Sequence, residues 1–163
     1  MRRLRSAAKG HGEGRRGGRW RWRSSSPAAA ARVGAGGGRS RRGRGEAEAP
    51  MHRSHGWVID SLAFSYIDEA GQRRTAGPWG GFGGQEKTIC LGPSEFVKEV
   101  SGTTGEYENK IVVRSLKFIT NITTYGPFGR EQNNGTPFSS YGTVVGFHGR
   151  SGVYLDSIGT YTI

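Results

Sequence analysis

Val58-Ile59-Asp60-Ser61-Leu62-Ala63-Phe64-Ser65-Tyr66 is written again in outline as Val112-Val113-Arg114-Ser115-Leu116-Lys117-Phe118-Ile119-Thr120, and a third time as Tyr154-Leu155-Asp156-Ser157-Ile158-Gly159-Thr160-Tyr161-Thr162. In the first copy Leu62, Phe64 and Tyr66 alternate with Ser61, Ala63 and Ser65, the period of two that marks a strand with one buried face. Downstream, Thr75-Ala76-Gly77-Pro78-Trp79-Gly80 is echoed by Thr124-Tyr125-Gly126-Pro127-Phe128-Gly129. The repeating unit therefore reads as a strand plus a Gly-Pro-aromatic-Gly loop, and no such loop follows the third copy. Self-similarity of this kind implies a pseudo-symmetric, all-β body built from like sub-sheets.

The rest of the chain supports that class. Asp68-Glu69-Ala70-Gly71-Gln72 is a polar turn that returns the first template strand toward Thr75 as a hairpin. Further strands are expected at Thr88 to Leu91, Phe96 to Ser101, Lys110 to Thr120, Thr143 to Phe147 and Tyr154 to Thr162, separated mostly by Gly or Pro. No segment holds a helical period over three turns. Short strands with glycine punctuation mean a sandwich, barrel or prism of antiparallel sheets.

Charge divides the chain sharply. Residues 1–50 carry 14 Lys+Arg and 3 Asp+Glu, whereas residues 51–163 carry 10 and 10, so the whole net charge of +11 belongs to the first segment. That segment is mostly Arg, Gly, Ala and Ser, too poor in apolar side chains to offset the entropy of ordering, and is expected to be disordered. The domain is expected over residues 51–163, one core in size. Cys90 is the only cysteine, so no intrachain disulfide forms. No apolar run has the length of a spanning helix or a secretory signal. The expectation is a cytoplasmic or nuclear protein without membrane contact. The Arg-rich start also resembles an organelle-targeting peptide or an RNA-binding arm, readings that Glu46, Glu48 and the lack of an amphipathic period disfavour.

Catalytic and metal-binding patterns are thin. His148 is a lone histidine beside Phe147, no Cys/His set has zinc spacing, and Gly149-Arg150-Ser151-Gly152 lacks the second spacer of a nucleophile elbow. Gly12-Glu13-Gly14-Arg15-Arg16-Gly17 fits a dinucleotide pattern by letter but follows no strand and opens no helix. No enzyme, metal or cofactor is expected. What recurs instead is a glycine a few residues before an acidic strand start, in Gly56-Trp57-Val58-Ile59-Asp60 and Gly152-Val153-Tyr154-Leu155-Asp156. A carboxylate accepts hydrogen bonds from neighbouring hydroxyls while a glycine-opened turn aims main-chain N–H groups at the same oxygens, which suits a sugar. Gly80-Gly81-Phe82-Gly83-Gly84 adds a second loop that a ligand can approach without meeting side chains.

Residues 56–163 resemble a jacalin-related lectin domain of the plant, mannose-binding type. The resemblance is carried by Gly77-Pro78-Trp79-Gly80-Gly81, by the run from Gly92-Pro93-Ser94-Glu95 to Ser101-Gly102, by Tyr125-Gly126-Pro127-Phe128-Gly129, by Gly135-Thr136-Pro137-Phe138, and by Gly149-Arg150-Ser151-Gly152-Val153-Tyr154-Leu155-Asp156. It implies a β-prism of three four-stranded Greek-key sheets about a pseudo-threefold axis, binding mannose, glucose and their oligosaccharides without metal. Carried over by position, one site uses Gly152, the main chain of Val153 and Tyr154, and the Asp156 carboxylate. A second uses the main chain of Trp57 and Val58, the Asp60 carboxylate, and Gly84 from the facing loop. Arg114 stands where the other copies have aspartate, so that copy lacks the acceptor.

Such a prism opens with its own Gly-Pro-Trp-Gly-Gly strand beside the C-terminal strand. No such opening is legible in residues 1–50, where Gly34-Ala35-Gly36-Gly37-Gly38 is a poor substitute. The first sheet is therefore expected to be incomplete, the domain destabilised, and the Asp60–Gly84 pair better preserved than the Asp156 site. The functional expectation is a non-catalytic lectin for mannose/glucose-type glycans, gaining avidity from several sites or from homo-oligomers. Two alternatives are a nucleic-acid-associated protein acting through the basic segment, with the prism as a partner-binding module, and a nonfunctional truncated lectin.

Overall fold

The computed structural model describes residues 18–23, 30–35, 57–67 and 70–163. Its strands are β1 (Gly18–Arg23), β2 (Ala30–Ala35), β3 (Ile59–Ile67), β4 (Arg73–Gly80), β5 (Gln85–Cys90), β6 (Val97–Tyr107), β7 (Lys110–Thr120), β8 (Thr124–Gly129), β9 (Thr136–Tyr141), β10 (Val144–Ser151) and β11 (Leu155–Thr162). Among the described residues there is no helix.

Three antiparallel sheets form, with strand orders β4-β3-β2-β5, β8-β7-β6-β9 and β1-β10-β11. In the second of these, β6, β7 and β8 run as consecutive hairpins and β9 returns beside β6, the Greek-key order. The first repeats it with β2, β3, β4 and β5. In the third, β10 and β11 form the matching hairpin and β1 lies beside β10, but no described strand flanks β11. Among the described residues this sheet has three strands where the others have four.

The three template copies are β3, β7 and β11, which touch one another at the centre. Their equivalent residues build the core in layers. Ile59, Val113 and Leu155 are fully buried together, followed by Leu62, Leu116 and Ile158, with Phe64 and Phe118 beyond them. Phe147 from β10 stacks on Phe64 with ring centroids 3.9 Å apart. Period-two alternation holds from Leu62 to Phe64 and from Leu116 to Phe118, which share the inward face, whereas the three-residue step from the first layer to the second is taken up by register shifts that skip Asp60, Arg114 and Asp156.

Two readings of the sequence are corrected here. The Gly-Pro-aromatic-Gly stretches are strands, not loops: β4 and β8 pair with β3 and β7, setting Trp79 opposite Leu62 and Phe128 opposite Leu116, each with a register shift just after that pair. Both contain a cis Gly-Pro bond, at Gly77-Pro78 and Gly126-Pro127, and both are outer strands, where a residue without an N–H is tolerated. Secondly, residues 1–50 are not all outside the domain. Arg19-Trp20-Arg21-Trp22-Arg23 itself alternates, and β1 pairs with β10. β2 inserts between β3 and β5 and pairs with both. Pairing on both sides satisfies the main chain of β2 whatever its side chains are, which is why an Ala- and Gly-rich stretch can serve as a strand. The expectation of disorder for the remainder of 1–50 lies outside the described residues.

Two outcomes test this architecture. Phe64→Ala should lower the unfolding free energy by about 3–5 kcal/mol, whereas Ile163→Ala, at an exposed position, should change it by less than about 0.5 kcal/mol. Deleting residues 1–35 removes β1 and the strand joining β3 to β5, so chemical denaturation of the shortened chain should lose its cooperative transition. A sharp transition of unchanged midpoint would show that β1 and β2 do not belong to the domain.

Candidate functional site

The three template strands begin at one end of the axis, and their first residues meet there. Val58, Val112 and Tyr154 form a small buried cluster of their own, with Tyr107 packed against it. Two residues further along each copy lie Asp60, Arg114 and Asp156, the positions that differ in charge. One architectural slot therefore holds a carboxylate, a guanidinium and a second carboxylate.

The loops at this end follow the same symmetry. After β4, the Gly81 N–H donates to the Asp60 carbonyl at 3.0 Å, and Gly80 adopts φ +113° directly over that carbonyl, where a Cβ would collide. After β8, the Arg130 N–H donates to the Arg114 carbonyl at 2.9 Å. Each loop also reaches the neighbouring copy. A Cβ on Gly81 would run into the Val153 carbonyl, and the Arg130 guanidinium lies 4.7 Å from the centre of the Trp57 ring. Trp57, Val153 and Ile111 occupy the same position in the three copies. Trp57 is 36% exposed and Val153 48%, whereas Ile111, which no described loop covers, is 64% exposed.

The two expected sites are thus contiguous rather than separate. Gly81, not Gly84, makes the close approach: Gly84 is exposed at the end of the same loop with φ +73°. The terminal loop, expected to lack a glycine neighbour, has Gly81 against Val153. Within it the Gly152 N–H donates to the Tyr154 carbonyl at 2.9 Å, closing the turn before Asp156. Val58 is fully buried, and only its main chain is available to a ligand.

The carboxylates differ in setting. Asp60 is 2% exposed and its Oδ2 has no hydrogen-bond partner among the described residues. Burial pushes its pKa up to about 7. Asp156 is only half-buried. Burial also raises its pKa, while Lys110 and Arg150 oppose the shift. Arg114 is fully buried, donates from Nη1 to the Glu106 carbonyl at 3.1 Å and lies 5.1 Å from the centre of the Tyr107 ring. Burial lowers its pKa, and it serves as packing rather than as a ligand arm.

Sequence reading missed the brace beneath the terminal loop. Tyr107 pairs with Lys110 around a two-residue turn in which Glu108 and Asn109 have φ 49° and 60°. That turn brings Glu108 Oε2 to 3.0 Å from the Tyr154 hydroxyl, which donates to it. Burial and Glu108 push the Tyr154 pKa up to about 12, so the donor is retained. Positive φ at both centres of a tight hairpin is the signal that could have found this turn, but Glu-Asn is far weaker than Asn-Gly. Elsewhere, a cavity of about 490 Å³ on β6, β7 and β9, lined by Ser101, Thr103, Lys117, Glu131 and Phe138, shares no residue with these loops. Among the described residues no group of three His, Cys, Asp or Glu could hold a metal ion.

Burial of Asp60 has a pH signature. Its unfolded-state value is near 3.8 and its folded value about 7, so between them the native state holds a proton that the unfolded chain has lost. Stability from this group therefore declines as pH rises through that window and levels off above it. Thermal melts across the window should show Asp60→Asn flattening the decline and melting above the parent at the alkaline end. An unchanged slope in the variant would mean that Asp60 is not buried as described.

The fold and this end of it have close counterparts. The Jacalin-like lectin domain matches residues 31–161, beginning within β2. A mannose/glucose-specific lectin of Parkia platycephala is 50% identical over 82 residues, which are 48% of this chain but 18% of that protein. Horcolin of Hordeum vulgare is 38% identical over 113 residues, covering 66% of this chain and 76% of horcolin. The crystal structure of Calsepa lectin in complex with a bisected glycan superposes with a TM-score of 0.71 at 30% identity, covering 97% of each chain. The threefold template, the glycine loops packed on its acidic strand starts, and a domain match over most of the chain make this protein a member of the jacalin-like lectin family.

Proposed function

We propose that the chain is a non-catalytic lectin that binds mannose- or glucose-type hexoses at the loop Gly152–Asp156, with the Gly81 loop alongside. The observation that carries this reading is the contrast between the two carboxylates: Asp156 is within reach of solvent beside the Gly81–Val153 contact, whereas Asp60 is sealed. The Asp156 carboxylate accepts from two hexose hydroxyls while the main-chain N–H groups of Val153 and Tyr154 donate to their oxygens. Tyr154, held by Val58, Val112 and Glu108, fixes the turn that presents them. Asp60 ranks second, reversing the order expected from sequence, because it is only 2% exposed. Arg114 offers no acceptor, so the middle copy does not bind in this way.

The mannose/glucose preference is supported by the Parkia relative, which is named for that specificity, and by the glycan bound in the Calsepa complex. A shallow site with a handful of hydrogen bonds binds one hexose with a dissociation constant of about 1 mM, roughly 4 kcal/mol.

Three measurements check this. In titration calorimetry with methyl mannoside, Asp156→Ala should weaken binding at least tenfold, about 1.4 kcal/mol, while Asp60→Asn stays within about twofold. The opposite ranking would place the sugar at Asp60. Gly81→Val drives a branched side chain into the Val153 carbonyl and should abolish retention on immobilised mannose. Because Asp156 must be ionised to accept and burial raises its pKa, affinity should fall on acidification before an ordinary carboxylate would protonate. Affinity that is flat well into the acid range would contradict a role for this carboxylate.

A further inference from the structure

On the sheet faces turned away from the core, the middle copy departs from the other two. Ala63, Lys117 and Gly159 hold one template position, on the side of each strand opposite to Leu62, Leu116 and Ile158. Register sets each in a row across its sheet: Ala63 beside Arg32 and then Thr88, Lys117 beside Ser101 and then Ser139, Gly159 beside His148 and then Arg21. In the first row a small residue adjoins an arginine, and Ala63 is only 7% exposed. In the third, the His148 ring lies over Gly159, where a Cβ would collide with it. The middle row leaves that space open. Its central residue is Ser101, and Lys117, its one long side chain, is drawn aside to Glu131, with Nζ 3.1 Å from Oε1. What remains is the open cavity of about 490 Å³, and every residue lining it is described.

We propose that this groove is a separate binding site for a neutral saccharide, on the outer face of the β8-β7-β6-β9 sheet. Its size falls within the roughly 300–1,000 Å³ typical of ligand clefts. Ser101, Thr103 and Ser139 line it with hydroxyls that both donate and accept, as the hydroxyls of a sugar do. Ser101 and Ser139 stand opposite one another on adjacent strands, their Cβ atoms about 5 Å apart, so neighbouring ring hydroxyls can reach both. The Thr103 hydroxyl is anchored 2.8 Å from that of Ser115, which is fully buried. Lys117 and Glu131 cancel one another's charge, so the groove favours neither an anion nor a cation. Each nonetheless keeps hydrogen-bonding capacity, because an ammonium carries three donors and a carboxylate two acceptor oxygens. Pro137 adds apolar surface for the C–H groups of a hexose. None of these residues belongs to the loop Gly152–Asp156, so occupancy of the groove does not depend on the Asp156 carboxylate.

Proton–nitrogen NMR correlation spectra of the full chain, titrated with mannotriose, test this in the parent and in Asp156→Ala, which leaves the groove intact. The main-chain amides of Ser101, Thr103 and Ser139 should shift saturably and to the same extent in both. Ser101→Tyr fills the groove from its central strand and should weaken that binding by about tenfold or more. Ser139→Tyr fills it from the exposed outer strand β9, and takes over should the first variant fail to fold. Glucuronate and glucosamine, one anionic and one cationic, should each shift these amides less than glucose at equal concentration. No saturable shift at the three amides, shifts that persist unchanged in a folded tyrosine variant, or tighter binding of either charged sugar would overturn the proposal. Shifts confined to Val153 and Tyr154 in the parent would refute the groove while leaving the loop site standing.

Discussion

Everything in this structure hangs on three equivalent strands burying the same residue position against one another on a shared axis. Ile59, Val113 and Leu155 are each fully buried at that point, and in β3, β7 and β11 alike a register shift at the next residue turns Leu62, Leu116 and Ile158 to the same inward side. Burying a side chain of this size is worth roughly 1.5–3 kcal/mol, and the layers of Leu62, Leu116 and Ile158 and of Phe64 and Phe118 repeat the contribution along the axis. Once the axis is fixed, the starts of the three strands are forced together at one end, and so are the loops that follow β4 and β8.

Function then depends on how symmetry is broken. The slot two residues into each template strand is set by the fold, but its occupant is free to vary. A guanidinium there turns inward and becomes structural, with Tyr107 and the Glu106 carbonyl as partners. A fully buried aspartate there is driven toward its neutral form. The aspartate of the third copy, over which no described loop lies, keeps access to solvent. Among the described residues no second strand flanks β11, and at this end Asp156 is half-buried and Ile111 64% exposed.

Much of this was legible in the residues. The threefold template, the hairpin after β3, the full extent of β7 and the identity of the acidic loops follow from alternation and from repeated Gly-Pro-aromatic-Gly. The two segments read least well failed for physical reasons. In β4 and β8, glycine and proline mark a loop by composition, yet an outer strand needs only one side of its main chain paired. In β2, sequence periodicity carries little information because both flanks are supplied by β3 and β5, which are far away in the chain. The pairing of Gly81 with Val153 was out of reach for a similar reason. It joins loops more than seventy residues apart, and its signal is a missing side chain, which has no periodicity to read.

The most direct test of the account is a crystal structure of the full chain soaked in methyl α-mannoside. The account predicts a hexose whose adjacent hydroxyls bond the Asp156 carboxylate and the main-chain N–H groups of Val153 and Tyr154, with Gly81 against the Val153 carbonyl and Asp60 still covered. A hexose bound elsewhere, or an Asp156 side chain turned away from an empty loop, would contradict it.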